Sequence, residues 1–81
     1  MELQKENIYE LLFKIISVDE KITFESNLYN EYSLDSLGVI DLILALEESF
    51  GIELSDDDLI LDNFESINKI SELIDLRMGN K

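Results

Sequence analysis

Apolar residues recur at three- and four-residue spacing in three separate segments of this chain, and no stretch of any length alternates apolar with polar. That period belongs to amphipathic helices, whereas a half-buried strand repeats every second residue. In the first segment Ile8, Leu11, Leu12, Ile15 and Ile16 fall on one side, with Glu2, Lys5, Glu6 and Glu10 on the other, which predicts a helix over 3–16. The second segment runs from Leu37 to Phe50 and stops at Gly51, a residue suited to the left-handed position that ends a helix. The third holds Ile67, Ile70, Leu73 and Ile74 behind Ser66, whose hydroxyl can cap the first turn, and should fray by Gly79. Between the last two, "SDDDLIL" sets Ser55 three residues before Asp58, a capping-box-like start that predicts a short helix near 56–61. "FGIEL" has strand propensity but no pairing partner. The expected fold is therefore all-α, a four-helix bundle of three longer helices and one short one.

With 81 residues the chain is expected to form a single domain, 1–81, with a modest core. The connection "SVDEKITFESNLYNEYSL" between the first two helices is long and aperiodic, of a kind that is uncommon unless functional or pinned down. Ile22, Phe24, Leu28 and Leu34 can pin it.

Cysteine and histidine are both absent. Their absence removes Ser/His and Cys/His nucleophile pairs, ordinary zinc sites and any group that titrates near neutrality unaided. Nineteen Asp and Glu face six Lys and Arg, for a net charge of −13. That balance argues against nucleic acid and anionic membrane surfaces and points to basic protein partners. The opening residues are too polar for a signal peptide and no apolar run approaches transmembrane length, so a cytoplasmic monomer without membrane insertion is expected. Asp56, Asp57, Asp58 and Asp62 lack the alternation, central glycine and distal glutamate of a calcium-binding EF-hand loop, and no metal site is expected.

At about 100° per residue, Val39, Leu42, Ile43, Leu46 and Phe50 gather on one side of the second helix as its core face. Leu37, Asp41, Leu44 and Glu48 gather opposite, flanked by Ile40 and Glu47. Single exposed leucines are ordinary. Two of them framed by carboxylates on one stripe describe a docking surface, with apolar residues supplying affinity and charge steering a basic partner. No basic residue lies between Lys21 and Lys69, so one part of the chain is a continuous source of negative field.

Ser36 stands at the head of this helix, where the ordinary reading of a serine is a cap. Asp35 and Asp41 are poor bases and no Lys or His is near, so Ser36 cannot activate itself as a nucleophile. Any reaction at its hydroxyl needs another protein's catalytic groups.

The run Asp35, Ser36, Leu37 followed by "VIDLILALEESFGIEL" closely resembles the attachment region of acyl carrier proteins, and the resemblance extends through the acidic short segment to "NFESINKISELIDL". It implies that Ser36 bears a covalent 4'-phosphopantetheine, transferred from coenzyme A by a phosphopantetheinyl transferase. It also implies a non-catalytic carrier, since the reactive thiol belongs to the prosthetic group. Asp35, Leu37, Ile40, Asp41, Leu44, Glu47 and Glu48 would then form the docking stripe for that transferase and for acyl-loading, synthase or transferase enzymes with basic patches. Leu46, Leu61 and Ile67 would be candidates for lining a cavity for the acyl chain. Gly38 stands where carriers of fatty acid synthesis often have an acidic residue. Asp-Ser-Leu-Gly is similar to D-alanyl carriers, and the closing segment to polyketide or peptide carriers, so the cargo is left open. A reading of another class is an unmodified acidic helical adaptor.

Overall fold

The computed structural model describes residues 2–79. Helix α1 spans Glu2–Ile15, α2 Leu28–Tyr32, α3 Ser36–Phe50 and α4 Ile67–Arg77, with two single 3₁₀ turns at Asp56–Asp58 and Leu61–Phe64. Among the described residues there is no strand, and Ile52 to Leu54 run without regular structure between α3 and the first turn.

The three stripes read from the sequence converge on one core. Ile8 and Leu12 of α1, Leu42 and Leu46 of α3, and Ile67, Ile70 and Ile74 of α4 are fully buried together with Leu28 and Phe64. Val39 is buried as expected, while Ile43 and Phe50 pack at its edge. α1 lies against both α3 and α4. Its first turn is tied to the last turns of α4 by Gln4, whose amide donates to Asp75 at 3.0 Å and accepts the buried Ser71 hydroxyl, so the two helices run antiparallel.

Two features differ from the sequence expectation. The short helix near 56–61 is instead the two 3₁₀ turns, interrupted by Ile60 in an extended conformation at φ −117°. The reason is competition for the Asp58 carbonyl. It accepts the Ile60 N–H at 2.9 Å and the Asn63 Nδ2 at 2.8 Å, and continuation as an α-helix would need it for residue 62. The Asp58 carboxylate meanwhile takes the Ser55 N–H at 3.0 Å and Arg77 Nε at 3.2 Å, binding this segment to the end of α4.

The long connection contains a helix that periodicity could not reveal. Asn27 Oδ1 caps α2 by accepting the N–H groups of Tyr29 and Asn30, its Nδ2 donates to Glu65, and the Leu28 N–H donates to the Glu65 carbonyl at 2.7 Å. α2 ends at Ser33 in the left-handed region, φ 60°, a rare conformation for a residue with a Cβ. Leu28 and Leu34 are buried on either side of it, as the pinning role required.

Tyr32 closes the connection on itself by donating its hydroxyl to Asp19 Oδ1 at 2.8 Å. Partial desolvation and this bond push the Tyr32 phenol up to about 12, from an ordinary 10.0. The bonds from Tyr32 and from the Lys21 N–H hold the Asp19 carboxyl below the usual carboxylate range. Raising a folded-state pKa favours the protonated phenol, so what Tyr32 adds to stability is present below pH 10.0 and is lost as pH rises towards 12. Lowering one favours the carboxylate, so the Asp19 contribution fades as pH falls through its folded value. In a spectrophotometric titration one tyrosine should therefore ionise near pH 12, and Asp19→Ala should move that step back towards 10.0. A Tyr32 step that is the same in both proteins would count against the bond.

Candidate functional site

The site is assembled at the start of α3. Asp35, in an extended conformation at φ −120°, is the cap: its Oδ1 accepts the Gly38 N–H at 2.9 Å. This corrects the sequence reading, in which Ser36 capped a helix beginning at Leu37. Ser36 is the first helical residue, exposed, and its hydroxyl makes no hydrogen bond to another described residue. Asp serves because its acceptor sits on a short side chain beside the unpaired first-turn amides, where negative charge is also favoured by the helix dipole. With Gly38 N–H taken, the Ser36 and Leu37 amides remain as free donors at the positive end of a 15-residue helix. A phosphate ester on the Ser36 oxygen would lie beside them, in an environment that favours an anion by about 0.3–1 kcal/mol. The residues present fit that group: a free, exposed hydroxyl, two free amides and open space around them.

Gly38 is buried. A Cβ built there would stand 2.8 Å from Leu34 Cδ1, 3.4 Å from Asp35 Oδ1 and 3.7 Å from Ile15 Cγ2. The missing side chain lets the end of α1 and the loop before α3 close on the first turn. It faces inward, away from any docking enzyme.

Most residues of the stripe read from the sequence lie on the surface. Leu37 is 73% exposed, Leu44 61% and Ile40 53%, with Asp41 and Glu48 exposed among them. Glu47 departs from it. The Glu47 carboxylate turns towards the chain beyond the helix and accepts the N–H of the buried Leu54 at 2.9 Å, while its carbonyl accepts from Gly51 and Ile52. It therefore fastens the C-terminal end of α3, where Gly51 takes the expected left-handed conformation at φ 65°. Asp35 is shared between the cap and the exposed surface.

A second set of exposed aliphatics, Leu59, Ile60 and Leu61, went unrecognised in the sequence because the segment was assigned to one helix. The available signal was three consecutive aliphatics directly after three aspartates. Leu61, at 61% exposure, cannot line an interior acyl cavity, while Leu46 and Ile67 are fully buried parts of the core. Among the described residues no group of three or more carboxylates is arranged to hold a metal ion, and no helix is long and apolar enough to cross a membrane.

Comparison with known proteins places this geometry. The family model described as the phosphopantetheine attachment site matches residues 6–74. The acyl carrier protein of Coprothermobacter proteolyticus is 34% identical, over 96% of this chain and 95% of that protein. That of Buchnera aphidicola is 36% identical, over 85% and 92%. The solution structure of a holo acyl carrier protein from Nitrosomonas europaea superposes with a TM-score of 0.83 at 25% identity, covering 95% of this chain and 98% of its own.

The division of labour among these residues separates stability from surface. Asp35→Ala should cost about 0.5–2 kcal/mol as a lost cap, while Ser36→Ala should stay within about 0.5 kcal/mol. By the same logic Glu47→Ala, which strands the Leu54 amide, should cost about 1–3 kcal/mol and Glu48→Ala next to nothing. Urea denaturation of the four variants checks both pairs, and equal losses within either pair would contradict the assignment.

Proposed function

The chain belongs to the acyl carrier protein family, whose prosthetic group is 4'-phosphopantetheine, and from that premise we propose that Ser36 is the attachment point. The single observation that supports this choice is the cap: Asp35 satisfies the Gly38 amide, leaving the Ser36 hydroxyl exposed and unengaged at the start of α3. A hydroxyl used as a cap would have to break that bond to react.

When bound, the group supplies a thiol on a flexible arm that holds acyl chains as thioesters. The residues of the chain bind and present it. The Ser36 and Leu37 amides and the helix dipole stabilise the phosphodiester, and the exposed hydroxyl leaves room for the catalytic groups of a separate transferase. Nothing in the chain needs to move a proton at Ser36. The carboxylate of Asp35 is already engaged with Gly38, and no His or Cys exists anywhere in the sequence. In this reading the protein is a single non-catalytic carrier domain, a cytoplasmic monomer.

Leu37, Ile40, Asp41, Leu44 and Glu48 form the surface on which the transferase and the acyl-loading, synthase or transferase enzymes dock, through basic patches complementary to a chain of net charge −13. Leu37, Ile40 and Leu44 supply the desolvated contact, and the carboxylates raise the encounter rate. Glu47 contributes by holding the end of the helix that carries them. The cargo is an acyl or aminoacyl group of fatty acid, polyketide or related biosynthesis.

Incubation with coenzyme A, Mg²⁺ and a broad-specificity phosphopantetheinyl transferase should raise the mass of the intact protein by one phosphopantetheinyl group, and Ser36→Ala should abolish the gain. An unmodified wild type, or a modified Ser36→Ala, rejects the assignment. Leu44→Arg and Glu48→Lys should leave the fold intact and slow the modification, with the Glu48→Lys deficit shrinking as salt is raised.

A further inference from the structure

An open groove of about 550 Å³ lies at the Ser36 end of the molecule, with residues 16–19 as one wall and residues 31–33 as the other. Its volume is within the range of small-molecule sites, roughly 300–1,000 Å³. We propose that this groove is the resting berth of the pantetheine arm, so that the arm lies against the loop between α1 and α2 when no partner is engaged. The proposal rests on attachment at Ser36.

Position comes first. Three peptide units separate Ser33 in the groove from Ser36, so their Cα atoms are at most about 11 Å apart. The arm, comparable in length to about four extended residues, spans about 14 Å and covers that gap. The other wall starts from the same place. Ile15, next to Ile16, packs within 3.7 Å of the Gly38 Cβ position in the first turn of α3. Ser33, at φ 60°, turns the chain from the groove wall towards the head of α3.

The groove is also held in shape before any arm enters. The Tyr32 hydroxyl joins one wall to the other through Asp19 at 2.8 Å, and the Lys21 N–H fixes the same carboxylate oxygen at 3.0 Å. A preformed site avoids the cost of ordering its walls on binding.

The lining suits the neutral part of the arm and rejects its phosphate. Ile16 and Val18 are half-buried aliphatics able to receive the paired methyl groups of the pantoyl unit. The Ser17 and Ser33 hydroxyls make no hydrogen bond to other described residues and can accept from the two amide N–H groups of the arm or donate to its carbonyls. Asp19 and Glu31 place negative charge on the rim, which repels a phosphodiester. The anion is thereby kept at the start of α3, beside the free amides, and the uncharged segment is the part that enters. Docking of a partner on the exposed stripe of α3 would then draw the arm out of a weak intramolecular site, occupied because tethering raises the effective concentration of the arm beside these contacts.

The test uses the holo protein with ¹³C-labelled pantetheine. Intact mass is read first, because a protein that gains no group at Ser36 overturns the attachment and the groove together. With modification confirmed, isotope-filtered spectra should show contacts from the pantoyl methyl protons to the Ile16 and Val18 methyl groups, and amide shifts at residues 17–19 and 31–33 relative to the apo protein. Ser17→Trp, at an exposed position, fills the groove and should abolish both signals while modification proceeds normally. Tyr32→Phe, which removes only the bond to Asp19, should weaken them. Contacts to residues 54–61, contacts confined to the first turn of α3, or signals that persist in a folded Ser17→Trp protein overturn the groove and leave the attachment standing.

Discussion

One hydrogen bond, from the Gly38 amide to the Asp35 carboxylate, determines how the site can be used. Every helix must satisfy its first-turn amides with something, and the residue that does so is committed to that task. Because Asp35 takes it, the neighbouring serine is released from structural duty and its hydroxyl is left exposed and unengaged. The same bond draws the chain before α3 tight against the helix, which is why Leu34 is buried only two residues before the exposed Ser36. A strongly ordered junction and a freely presented hydroxyl thus arise from a single contact.

α3 serves two surfaces with different demands. Its inner face, Val39, Leu42 and Leu46, is fixed by packing against α1 within the shared core. Its outer face exposes three aliphatics among carboxylates, at a cost in self-repulsion that a chain of net charge −13 bears throughout. Glu47 lies between these roles. By bonding the Leu54 amide and, with Gly51, closing the end of the helix, it fixes the C-terminal end of the outer face.

The stripes of α1, α3 and α4 were legible because each is more than two turns long and buries a consistent face, so the period of the apolar residues survives in the sequence. Ser66 and Gly51 were legible as caps because their side-chain or backbone preference acts locally, and both appear where expected. α2 was not, since five residues hold little more than one turn and its stability comes from Glu65, 38 positions away from Asn27. The broken third helix was hidden for a similar reason: Asn63 and Arg77 decide the use of Asp58, and neither belongs to the local pattern. At the site itself, choosing between Asp35 and Ser36 as cap depended on a helix boundary one residue away from the expected one. Boundaries are the least certain part of any periodicity argument.

Gly38 shows how a residue can have a packing role that its neighbours in sequence do not reveal. In the sequence its lack of a side chain is noticed only as a hint about cargo. The packing gives a closer cause, since a Cβ would stand 2.8 Å from a buried leucine methyl and overpacking of that kind typically costs about 1–3 kcal/mol. A side chain at this position would first have to displace the Leu34 methyl group. The glycine is therefore coupled to Leu34 and Ile15.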